Sequence, residues 1–149
     1  MYPFVLFVHN SVRWIVLIAG VLAAGRALIG WFGKKVWIKQ DRILGVIFTS
    51  SIDVQLLLGL LLYFVLSPIT KGAFSDFGAA MNIPEQRFFA LEHIFYMLLA
   101  LVFAHLGSML PKKVDEAPAK FKRAAIWFSL ALVSILVGIP WWRPLFPGL

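Results

Sequence analysis

The stretch FVLFVHNSVRWIVLIAGVLAAGRALIGW, residues 4–31, decides the fold. It stays apolar for longer than the roughly 20 residues that a helix needs to cross a bilayer core. It lacks a basic stretch before it and a small-residue cleavage site, so it reads as a retained helix rather than a secretory leader. Three more runs of similar character follow at residues 43–66, 88–110 and 124–139. The fourth is short and is expected to begin among the basic residues before it.

The composition agrees. Of the 149 residues, 61% are hydrophobic and only 14% charged, and the mean hydropathy is +0.87. Soluble domains sit near 45–50% apolar and about 25% charged. A water-soluble domain is excluded, because too few polar side chains remain to cover its surface. The absence of cysteine excludes disulfides, Fe–S clusters, thiolate zinc and a cysteine nucleophile. The expected fold is an all-α, single-domain membrane protein: a four-transmembrane-helix up-and-down bundle over residues 1–149. The first and third helices should be parallel and diagonal.

The net charge of +7 is explained by where the cations lie. Lys34, Lys35, Lys39 and Arg42 fall between spans one and two, and Lys112, Lys113, Lys120, Lys122 and Arg123 between spans three and four. The other side has only Lys71, Arg87 and Arg143. The positive-inside rule then puts both basic loops in the cytoplasm and both termini on the outer side. Lipid bilayer is the expected partner and nucleic acid is not. Tyr2, Trp31, Trp37, Trp127, Trp141 and Trp142 fall near span ends, as an aromatic belt requires. The connection at residues 67–86, with Pro68, Gly72, Gly78 and Pro84, is expected to form an interfacial turn or lid.

Polar residues at membrane depth carry the functional signal, since each is expensive there and needs a partner. These are His9, Arg13, Asp53, Gln55, Glu92, His93 and His105. With a rise of about 1.5 Å per residue, His9 lies roughly 9 Å and His93 roughly 10–13 Å below the outer end of its helix. Two imidazoles at one depth on parallel helices match the axial pair of a b-type haem; a lone histidine is more often a packing residue. Gly59 lies at the same level and leaves room for a porphyrin edge, with Gln55 one turn deeper on its face. Ser134 and Gly138 are small residues in the outer half of helix four. Arg13, at i+4 from His9, can neutralise a buried anion, and Arg87 or Arg143 can meet a haem propionate. Asp53 is expected to pair with Arg13, with a proton relay or a contact between subunits as alternatives. Glu92 points about 100° away from His93 and is expected either to orient a neighbouring group or to bind protons. His105 has no second histidine at its depth and reads as a structural or quinone-side residue.

The segments HNSVRW (9–14), VQLLLGLLLY (54–63) and EHIFYMLLALVFAHLG (92–107) resemble small four-helix bacterial membrane proteins of the cytochrome b-like kind. They are also similar to one four-helix half of haem A synthase. That family carries a histidine on its first helix, Gln-x-x-Leu-Gly on its second and a histidine on its third. The matching positions here are His9, Gln55 with Leu58 and Gly59, and His93. The resemblance implies one haem b per chain held by His9 and His93, in a bacterial inner membrane. Helix four adds only IPWWRP (139–144) to the match. The chain has half the length of haem A synthase, and Leu6, Phe7 and Val8 stand where that family has an acidic residue. The expectation is therefore electron transfer rather than haem modification, with a quinone or another redox protein as partner. The rival is a cofactor-free integral membrane subunit stabilising a larger respiratory or transport complex or a homo-oligomer. Its packing face would be Gly20, Ala23, Ala24 and Gly25. A small transporter using Arg13, Asp53 and Glu92 is a third reading, disfavoured by the lack of an inverted repeat.

Overall fold

A computed structural model describes residues 1–144. Helix α1 spans Tyr2–Phe32, with Pro3 in its first turn, where the missing N–H costs nothing. It ends on Lys34, whose φ of +49° is left-handed. The Lys35 N–H reaches the Gly30 carbonyl at 3.0 Å and the Lys34 N–H the Trp31 carbonyl at 3.4 Å. These two bonds make a Schellman close with lysine at the position glycine usually takes.

Helix α2, Lys39–Leu61, starts where the Asp41 carboxylate turns back to accept the Ile38 N–H at 2.8 Å. The same buried carboxylate accepts Arg26 Nε at 2.6 Å, which ties α1 to α2. One turn of π-helix, Leu62–Leu66, continues α2 until Ser67 and Pro68 break it. Three short helices follow: α3 (Pro68–Ser75), α4 (Phe77–Ala80) and α5 (Pro84–Arg87). A second π turn, Phe88–Glu92, leads into α6, His93–Met109. After a 3-10 turn at Leu110–Lys113, α7 runs from Ala117 to Gly138. Pro140 stops it by forcing Ile139 into extended backbone. The fourth span does begin before residue 124, among the basic residues, as expected.

Four segments are long and apolar enough to cross a membrane: Tyr2–Phe32, Lys39–Leu66, Pro84–Lys113 and Ala117–Gly138. The chain is thus a helical, multi-pass membrane protein by length and composition. Helix α1 packs on α2 and α7, and α6 packs on the same two, so α1 and α6 face each other across the diagonal.

The two halves of the bundle differ. Near the basic loops, alanines at 23, 24, 27, 104, 124 and 125 let the helices close around Phe48 and Phe128, and Gly30 leaves room for the buried Phe121 ring. Phe48 and Phe128 meet edge to face at 5.6 Å. Gly20, Ala23 and Ala24 belong to this interior, so they do not form the outward packing face expected of them. A Cβ at Gly20 would sit 2.8 Å from the Phe48 ring, whereas Gly25 has open space beside it. The other half bears a cavity lined by residues of all four spans.

Candidate functional site

That cavity has a volume of about 720 Å³, within the range of pockets that hold cofactors and drug-sized ligands. His9 projects into it from α1 and His93 from α6. Their ring centroids are 6.4 Å apart, with the planes 66° to one another. The sequence expectation that these two side chains share a level on diagonal helices matches this arrangement.

His93 is oriented by main chain. Its Nδ1 lies 2.6 Å from the Gly138 carbonyl oxygen. A carbonyl can only accept, so Nδ1 carries the proton and Nε2 keeps its lone pair. Gly138 permits this approach: a Cβ there would strike Met97 and lie 2.9 Å from Tyr96 Cβ. Phe88 and Phe89, in the π turn before His93, place their rings 5.9 Å from the imidazole. Extra residues in helical turns recur beside functional sites because they re-aim the side chains that follow.

His9 is set by α2. Gln55 Nε2 donates to the His9 main-chain carbonyl at 3.0 Å. A Cβ at Gly59 would be 3.3 Å from His9 Cε1, so Gly59 makes room for this imidazole as well as for anything in the cavity. Nδ1 of His9 and Oε1 of Gln55 are buried with no hydrogen-bond partner among the described residues. Such buried acceptors and donors call for a partner that the described residues do not supply.

Arg13, buried one turn from His9, lines the same cavity. Its guanidinium lies 5.7 Å from the Trp14 ring. Arg143 lines the mouth and bonds Glu85 Oε1 through Nε at 3.1 Å and Nη2 at 2.5 Å. Arg87 is not brought to the cavity; its Nε donates to Glu92 Oε1 at 2.8 Å outside it. That contact gives Glu92 a partner on its own helix. Ser134 bonds the Leu130 carbonyl and also stays out of the cavity.

The 67–86 connection does cover the site. Ile69 and Thr70 line the cavity, Thr70 Oγ1 donates to the Tyr63 carbonyl at 2.8 Å, and Tyr63 donates to the Ala90 carbonyl at 2.6 Å. Ala73, Ala80 and Ala90 pack this cap onto the start of α6.

Asp53 does not pair with Arg13. Its Oδ1 lies 3.5 Å from His105 Nε2, across the α2–α6 seam, with both side chains nearly half exposed. His105 Nδ1 donates to the Leu101 carbonyl at 2.9 Å. Asp53 and Gln55 lie two residues apart on α2, about 200° round the helix. Only Gln55 can reach the bundle interior, where Arg13 is.

Among the described residues, no group of three or more His, Asp or Glu lies close enough to hold a bare metal ion. A comparison with family models, with curated proteins and with solved structures finds no match to this chain.

Proposed function

We propose that this chain is a b-type cytochrome of the bacterial inner membrane that binds one haem between His9 and His93 and passes single electrons. The observation that carries the reading is the facing imidazole pair. A metal–imidazole bond is about 2 Å and the ring centre lies roughly 1 Å further, so a metal held by both imidazoles would need their centroids no more than about 6 Å apart. The observed 6.4 Å lies close to that limit. Two nitrogen donors are too few for a protein-bound zinc, but they suffice where a macrocycle supplies the other ligands. The lone pair on His93 Nε2, the unpartnered His9 imidazole and the size of the cavity favour this donor set.

When bound, haem supplies one-electron redox chemistry that no side chain here provides. The protein's own residues would do the rest. His93 would be kept in one tautomer by the Gly138 carbonyl, and His9 in position by Gln55 and Gly59. Arg13 and Arg143 would offer positive charge to carboxylates, and the cap would limit entry of water. In the proposed orientation the site lies in the outer half of the bilayer, with both termini outside. A quinol or a redox protein would be the electron partner.

The test is an absorption spectrum of the detergent-purified protein, with haem supplied during expression, before and after dithionite. A sharp Soret band with split reduced α and β bands, at near one haem per chain, is expected. A flat spectrum would remove the ligand assignment.

A second reading is a membrane subunit of a larger complex. It draws on Asp53 and His105, an ionisable pair left half exposed on the α2–α6 face. A bilayer penalises such exposure unless another chain covers it.

A further inference from the structure

The positive-inside rule accounts for how many cations the two basic loops carry, but not for three of them converging. At the end of the bundle bearing those loops, opposite the histidine cavity, lies a second concavity of about 200 Å³. Arg42 reaches it from the start of α2, Lys112 from the turn after α6, and Lys120 from the first turns of α7. Three neighbouring cations are otherwise engaged: Arg26 with Asp41, Arg123 with the Leu110 carbonyl, and Lys122 over the Trp31 ring. The side chains of Arg42, Lys112 and Lys120 enter no ion pair or hydrogen bond among the described residues.

The concavity's one acid, Asp41, gives no counter-charge to these three. Its Oδ1 accepts Arg26 Nε, and its Oδ2 accepts Arg26 Nη2 and the Ile38 N–H. The floor is the Phe128 ring, reached because Gly45 and Gly107 carry no side chain. The Ser108 hydroxyl stands at the rim, 3.3 Å from where a Gly45 Cβ would be. Three unmatched cations and a hydroxyl around an apolar floor form a receptor for a multiply hydrogen-bonding anion beside acyl chains.

We propose that this concavity binds a phosphate group, such as the phosphodiester of an anionic lipid headgroup. At roughly 30 Å³ per water, its volume of about 200 Å³ equals about seven waters, which accommodates a phosphate and the start of its ester chain. The assignment is independent of the haem reading, since it uses none of the same residues.

Native mass spectrometry of the full chain in detergent, titrated with phosphatidylglycerol, phosphatidylcholine or inorganic phosphate, tests it. One phosphatidylglycerol should be retained at concentrations roughly tenfold below those for phosphatidylcholine. The Arg42→Gln/Lys112→Gln/Lys120→Gln variant should lose about thirtyfold in that affinity. A matched Lys34→Gln/Lys35→Gln/Lys113→Gln variant, which removes the same charge outside the concavity, should keep it. Should the first triple fail to fold by circular dichroism, Lys112→Gln and Lys120→Gln separately should each cost about threefold. Inorganic phosphate that binds alone with the same variant dependence identifies free phosphate as the source; phosphatidylglycerol binding that phosphate leaves intact identifies lipid. Equal losses in both triples, unchanged single variants, or no adduct with either probe overturns the site.

Discussion

Replacing His9 or His93 with alanine takes one imidazole from the cavity and leaves the alanine–phenylalanine packing of the other half untouched. Each variant should retain wild-type helicity by circular dichroism and lose bound haem, read as the Soret absorbance per chain. Retained stoichiometric haem in both would disprove the pairing. Gly59→Leu offers a subtler check, because it keeps both histidines. Its Cβ alone would lie 3.3 Å from His9 Cε1, and the rest of the side chain must displace the imidazole. Overpacking of this kind costs about 1–3 kcal/mol, and haem content should fall by more than half. Gly59→Ala adds only that Cβ and should keep most of it.

At the scale of the helix, the turn after α1 is closed by a residue unsuited to it. Lys34 holds a φ of +49°, a conformation that costs a non-glycine residue on the order of 1–2 kcal/mol. The Schellman bonds to Trp31 and Gly30 hold it there. Lys34→Gly should therefore raise stability by about 0.5–1 kcal/mol, seen as a higher melting temperature in detergent; a lower one would contradict the account. The start of α2 behaves oppositely. Asp41→Ala removes both the acceptor of the Ile38 N–H and the partner of Arg26 in a buried setting. The loss should be about 2–4 kcal/mol, measured by the same melting curve. The Arg26 partnership was not legible from the chain, because residues 26 and 41 are separated by a turn whose path the sequence does not state.

At the scale of the molecule, a ligand bridging diagonal helices links two parts that are otherwise joined mainly through α2 and α7. Anything that binds the folded state alone adds stability, about 2.7 kcal/mol when present at a hundred times its dissociation constant. Protein purified with haem should thus melt about 5–10 °C above protein from haem-starved cells. The difference should vanish in His93→Ala.

The four spans, their lengths and the two basic loops follow from composition and spacing alone, since a bilayer demands long apolar helices and tolerates few charges. The shared level of His9 and His93 was legible for the same reason: depth is counted in residues along a regular helix. The partners of these residues were not. Gly138 reaches His93 through a carbonyl, which every residue has and no side-chain pattern marks. Asp53 meets His105 rather than Arg13, and Gly20, Ala23 and Ala24 face inward rather than outward. Those outcomes depend on how each helix is rotated about its axis. With apolar residues nearly all round each span, periodicity is weak, and only the packing of large rings against small residues sets that rotation.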